Sequence, residues 1–218
     1  MCTYDTIQKN YNSILKIVDG KNVRIVAVTK YYDENAIINA YRAGLRDFGE
    51  SRALESVEKI NKLDDEIRQK STYHFIGHLQ TNKVKHVVGF FDYIHSVDSL
   101  KVAKEIAKCA AEKGIVQKIL IQVNVADEKS KFGIAPLQTD DLIKEISKLN
   151  SLKIEGLMNI APLVDDEKEL RKYFSQMRKL KERYGLKELS MGMSNDFKIA
   201  LEEGATIIRL GRTLFKNS

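Results

Sequence analysis

The apolar run at 24–30 (RIVAVTK) closes on Lys30. With the two-residue period of a strand, Val26, Val28 and Lys30 face one way, so the amine shares the direction of apolar side chains. An amine in a partly dry setting has a lowered pKa, and its neutral form attacks an aldehyde to give a Schiff base. The same lysine also reads as the first solvated residue of a loop.

Two further groups of residues point to an anion. The segment at 191–196 (MGMSND) offers small residues and the Ser194 hydroxyl at the start of a helical stretch, DFKIALEEG. Gly211 and Arg212 offer amides after another apolar run, with glycine letting the backbone approach closely. Free amides and the helix dipole at a helix start suit a phosphate. Each signal alone is also an ordinary turn or cap. Arg209 shares parity with Ile207 and Gly211, which places a guanidinium among inward residues. Burial of that charge requires a partner, either a carboxylate such as Glu50 or a ring-nitrogen acceptor.

Eight short apolar, β-branched runs position these residues: 23–30, 47–50, 73–77, 93–97, 118–125, 154–160, 188–193 and 206–211. An initial helix at 4–18 precedes them, and strand and helix then alternate eight times. Leu170, Tyr173, Phe174, Met177, Leu180 and Tyr184 mark one helix face. Gly44, Gly89, Gly114, Gly185 and Gly204 follow helical stretches, and Asp33, Ser51, Ser99, Thr139 and Asp165 or Asp166 precede them as caps. Continuous hydrophobicity in VRIVAV and ILIQVNV marks strands covered on both faces, hence parallel. Eight such strands predict an α/β fold, a (β/α)8 barrel in one domain over 1–218, with a truncated last helix; an open doubly wound sheet is the other arrangement. Barrel chemistry is built where strands end, and phosphate is commonly bound after strands 7 and 8. Lys30, Ser51, Ser194, Arg209, Gly211 and Arg212 all lie at strand ends.

The 218 residues hold 36 basic and 30 acidic side chains, a net charge of +6, two cysteines and no tryptophan. The composition is globular, and no run approaches the length of a membrane span. A soluble, intracellular protein is expected. Bases interleave with acids, as in KVAKEIAKCAAEKG, which reads as solvated helix faces rather than a nucleic-acid surface. Cys2 and Cys109 form no CxxC, and Cys109 reads as a small core residue. His74 and His78 straddle Gly77 without an acidic ligand at metal-site spacing, so no metal is expected.

A Schiff-base lysine, a phosphate cradle and an inward arginine suit pyridoxal 5'-phosphate. At AVTKYY (27–32), FGESRALE (48–55), HFIGHLQTNKVK (74–85), IHSVDS (94–99), QVNVADEKSKFG (122–133), GLMNIAP (156–162) and LSMGMSNDFKIALEEGATIIRLGRTLF (189–215), the sequence resembles the pyridoxal phosphate homeostasis proteins. These are relatives of the barrel half of alanine racemases. The resemblance implies a modified TIM barrel of fold-type III. It implies that Lys30 holds the cofactor as an internal aldimine, that Ser194 with the Gly211 and Arg212 amides binds its phosphate, and that Arg209 faces its ring nitrogen. Ser51 stands where the family has Asn after FGE, so any hydrogen bond from that position is shortened, water-mediated or missing.

The resemblance further implies a cofactor buffer and carrier rather than an enzyme. An arginine at the ring nitrogen weakens the electron sink, and racemisation needs acid/base groups on both faces. In the racemases a partner-subunit tyrosine and a second β domain supply the other face. No tyrosine here matches that position, and a chain ending at Ser218 leaves no room for the domain. The expectation is a cytoplasmic monomer that delivers the cofactor to apo-enzymes, with residual racemase chemistry or a Schiff-base aldolase as alternatives. The loop holding Lys129 and Lys131 reads as a solvated turn or as a lid whose lysine accepts the aldehyde from Lys30.

Overall fold

The computed structural model describes residues 3–126, 128, 131–164 and 166–216. The eight apolar runs form eight strands, β1 (Arg24–Val28), β2 (Asp47–Glu50), β3 (Thr72–Phe75), β4 (Tyr93–Val97), β5 (Gln117–Gln122), β6 (Leu152–Met158), β7 (Glu188–Ser190) and β8 (Ile207–Leu210). All pair in parallel in chain order, and β8 closes on β1 with Val26 opposite Arg209 and Ala27 opposite Leu210. The expected closed barrel is therefore the architecture, and the open sheet is not.

Helices α1 (Tyr4–Val18), α2 (Glu34–Arg42), α3 (Ala53–Asn61), α4 (Asp65–Gln69), α5 (Val84–Val87), α6 (Leu100–Glu112), α7 (Thr139–Ile146), α8 (Glu167–Arg183), α9 (Phe197–Glu202) and α10 (Arg212–Phe215) surround it. The alternation is less regular than expected, because β2 is followed by two helices and short 3-10 turns precede α5 and α7. The truncated last helix is a single turn, α10. It is held by α1, whose Asn10 Nδ2 donates to the carbonyls of Leu214 and Lys216 at 3.0 Å each.

Helix ends follow the residues read for them, with two corrections. Gly44, Gly89, Gly114, Gly185 and Gly204 all have positive φ. Ser99 accepts from the Val102 amide at 3.4 Å and Asp166 from the Lys168 amide at 2.8 Å. Arg52, not Ser51, precedes α3, because β2 runs on through Glu50 and the chain stays extended for one residue more. Thr139 is the first residue of α7 rather than its cap, with its hydroxyl donating back to the Ala135 carbonyl.

Two layers of apolar burial result. The larger fills the space between strands and helices, including Ile14, Ile37, Phe48, Ile106 and Phe174. The smaller, Val26, Tyr93, Leu120, Met158 and Ile207, lies inside the barrel. Cys109 belongs to the outer layer, and burial pushes its thiol up. Among the described residues no helix is long and apolar enough to cross a membrane.

Candidate functional site

At the C-terminal ends of the strands, Lys30 sits in the turn after β1, half-buried, with its Nζ 5.0 Å from the centre of the Tyr31 ring. Because β1 ends at Val28, strand parity does not extend to Lys30. The turn rather than the pleat sets its direction. That turn is fastened from below. Lys59 of α3 donates to the carbonyls of Thr29 and Tyr32 at 2.9 and 3.0 Å and pairs with the buried carboxylate of Glu50. The Thr29 hydroxyl donates to Glu50 Oε1 at 2.6 Å, and Ser56 Oγ donates to Oε2 at 3.3 Å. Thr29 and Lys59 were absent from the sequence-based site, and Glu50 entered it only as a candidate partner for Arg209. Their only signal is the pairing of a strand-end acid with a base nine residues along.

Glu50 is thus the partner of Lys59, not of Arg209. The buried Arg209 instead donates through Nη1 to Ser190 Oγ and through Nη2 to the Asn159 carbonyl, each at 2.7 Å. Both acceptors are neutral, and among the described residues no carboxylate lies within ion-pair distance of Arg209. Burial brings its guanidinium down to about 10, with the Asp196 carboxylate opposing the shift. At neutral pH it stays charged, with donors left over from its five N–H groups.

The loops after β7 and β8 meet as expected. Ser194 Oγ accepts from the Thr213 amide at 3.2 Å, which sets the hydroxyl at the first turn of α10, beside Gly211 and Arg212. Arg212 Nη2 donates to Asn195 Oδ1 at 3.0 Å, a second tie between these loops. Gly192 has φ +90°, and a Cβ there would stand 2.6 Å from that of Ala200, so the bend leading into Ser194 requires glycine. Across the β1–β8 seam, a Cβ on Gly211 would lie 3.6 Å from the Val28 carbonyl. The cradle therefore adjoins the Lys30 turn.

Ser51 is half-buried one strand away, where its carbonyl presses on Gly77 so closely that a Cβ on Gly77 would come within 2.3 Å. It borders a 270 Å³ depression with Arg52, His78 and Lys83. Over this side, Phe132 from the loop after β5 stacks on His78, centroids 3.7 Å apart. In that loop Lys131 pairs with Glu128 at 3.0 Å, while Lys129 lies outside the described residues.

Residues 3–218 match the family described as alanine racemase, N-terminal domain. The pyridoxal phosphate homeostasis protein of Aquifex aeolicus is 39% identical over 203 residues, covering 90% of this chain and 88% of its own length. The chain belongs to the pyridoxal phosphate homeostasis family. A solved family structure, PipY of Synechococcus elongatus with PLP bound, is 36% identical with a TM-score of 0.86, covering 96% of this chain and all of that one. Alanine racemase of Clostridium difficile shares the fold at 16% identity, with a TM-score of 0.77 over 98% of this chain and 57% of its own. A homeostasis-family barrel thus carries Lys30, Arg209 and the Ser194 cradle on the adjoining strand ends β1, β8 and β7.

Proposed function

We propose that this chain binds pyridoxal 5'-phosphate and buffers and delivers it, rather than turning over amino acids. The observation that carries the reading is Arg209. A buried cation that meets only neutral acceptors and keeps spare donors fits a ring nitrogen at its outer side, since a guanidinium donates and never accepts. Lys30 holds the cofactor covalently through Nζ. Ser194, with the amides of Gly211 and Arg212, takes the phosphate, and Ser51 lies at the edge of the site. When bound, the cofactor supplies an aldehyde carbon and an electron-withdrawing ring. The names and bound PLP of the relatives support this assignment.

Against turnover stands the chemistry of the same arginine. A donor held at the ring nitrogen keeps that nitrogen unprotonated and limits carbanion stabilisation. The reading includes a cytoplasmic monomer and apo-enzymes as acceptors.

The test is reconstitution. The wild-type chain takes up pyridoxal phosphate with visible absorbance that borohydride reduction fixes to Lys30, and Lys30→Ala abolishes both. Bound cofactor then passes to an added apo-enzyme; absorbance that persists in the presence of the acceptor rules out delivery. Deuterium uptake at Cα of alanine in heavy water would favour the racemase instead, and borohydride trapping of a keto substrate on a colourless protein would favour the aldolase.

A further inference from the structure

A file of hydrogen bonds crosses the barrel interior from Arg209 to Asp47. Arg209 Nη1 donates to Ser190 Oγ at 2.7 Å, and Ser190 Oγ lies 3.1 Å from His95 Nδ1. His95 Nε2 lies 2.9 Å from His74 Nδ1, and His74 Nε2 lies 2.9 Å from Asp47 Oδ1. Ser190, His95 and His74 are fully buried; β3 and β4 are sheet neighbours, and barrel closure brings β7 to face them across the lumen. Asp47 opens β2 at the opposite end of the barrel. There, with Arg24 (Nε at 3.3 Å), it lines a 610 Å³ concavity beneath α1.

With both rings neutral, the Asp47 end fixes every link of the file. A carboxylate only accepts, so the proton of His74 is on Nε2; a neutral His74 then accepts at Nδ1 from His95 Nε2–H. His95 accepts in turn at Nδ1 from the Ser190 hydroxyl, whose oxygen accepts from Arg209. At the far end the guanidinium donates to Ser190 Oγ, which is compatible with this direction because the hydroxyl oxygen accepts while its own proton goes to His95 Nδ1. One tautomer per ring satisfies the whole file with both rings neutral. The opposite direction requires an imidazolium in the core, and burial lowers the pKa of both histidines.

We propose that Ser190, His95, His74 and Asp47 are positioning residues for Arg209. The file orients the guanidinium and transmits the Asp47 charge to it, so a group at the far end of the barrel sets how strongly Arg209 donates at the cofactor ring. A file polarised toward a carboxylate makes Ser190 Oγ a better acceptor and supplies countercharge that the two neutral contacts of Arg209 do not. The groups facing the rings fit this direction. Asp47 and Asp92 lie on the His74 side and Arg209 at the other end, while the Tyr93 ring, stacked on His74 at 4.9 Å, bears Arg24 at 5.0 Å and Lys118 at 5.1 Å. The last step rests on the pyridoxal phosphate reading; the direction of the file does not.

Two measurements separate these. Long-range ¹H–¹⁵N correlation spectra of the cofactor-free wild-type chain, with ¹⁵N-labelled histidine, read the tautomers directly. Both rings are expected neutral with the proton on Nε2 from pH 6 to 8 (roughly, the window around an ordinary histidine). A proton on Nδ1 of either ring overturns the file, whatever the cofactor. On the loaded protein, Asp47→Asn keeps the acceptor for His74 and removes the charge. The pH midpoint of the visible absorbance is expected to fall by roughly 0.5 unit, as Arg209 donates more strongly to the ring. Ser190→Ala, which cuts the file without touching Asp47, shifts it in the same direction and serves if Asp47→Asn fails to fold. An unchanged midpoint, or an equal shift from Asp141→Asn on exposed α7, overturns the positioning role. A wild-type chain that takes up no pyridoxal phosphate overturns the proposed function and the role at the ring together, while the spectra still decide the direction.

Discussion

The ammonium of Lys59 lies within 2.9 Å of the Thr29 carbonyl and 3.0 Å of the Tyr32 carbonyl, straddling the turn that carries Lys30. One half-buried cation on α3 thereby ties the turn of Lys30 to Glu50 at the end of β2. Lys59→Met leaves Glu50 buried without its counterion, a loss of about 3 kcal/mol. It also frees the turn, so cofactor release is expected to accelerate. Adding Glu50→Gln to Lys59→Met restores part of the stability but not the grip on the turn. Urea unfolding and the decay of bound absorbance measure the two effects separately. Equal release from wild type and Lys59→Met would show that the turn holds itself.

The proposed function puts Ser194 at the phosphate and not at the ring. Ser194→Ala removes one donor to the anion, worth about 1 kcal/mol, or roughly fivefold in affinity for pyridoxal phosphate. Affinity for pyridoxal, which lacks the phosphate, is expected to stay within twofold (roughly, the scatter expected for an unused contact). Titrating both ligands against both proteins is the measurement. A parallel loss for the two ligands would place Ser194 elsewhere.

Gly192 prepares the position of Ser194. At φ +90° an alanine is strained, and its Cβ would meet that of Ala200 at 2.6 Å. Gly192→Ala is expected to cost about 2 kcal/mol in urea unfolding and to weaken phosphate binding through displacement of the loop. A variant with wild-type stability would mean that α9 yields at little cost.

The barrel was legible because its signals are local. Unbroken apolar runs such as ILIQ mark strands covered on both faces, and a glycine such as Gly114 marks a helix end within a few residues. The meeting of Ser194 with α10 also followed, since successive strands of a barrel are neighbours. The place of Lys30 at the end of the first strand was legible, but its direction was not, because the strand stops two residues before it. Residues that act across the lumen left no pattern. His95 and Ser190 are 95 positions apart on non-adjacent strands, and nothing along the chain pairs them until the barrel closes. Glu50 was legible as a candidate partner for Arg209. The sequence alone could not rank that pairing against Lys59, one helix away.

The buried histidines make stability fall on the acid side in a window that can be derived from their shifts. Burial lowers the pKa of both His74 and His95 in the folded chain, His95 further because His74 and Arg209 oppose its positive charge while Asp47 favours that of His74. In the unfolded chain both titrate near their ordinary value, about 6.5. Above that pH the rings are neutral in both states and the stability is fully present. Below it the unfolded chain binds protons that the folded chain refuses, so stability is lost as pH falls from about 6.5 toward the folded values. The slope approaches about 1.4 kcal/mol per pH unit for each ring. Urea unfolding at a series of pH values between neutral and mildly acid conditions measures this loss, and His95→Gln, which removes one of the two groups, is expected to flatten the curve. If wild type and His95→Gln lose stability in parallel, His95 takes up a proton in the folded chain as readily as in the unfolded one, and the neutral ring between Ser190 and His74 is not the native state.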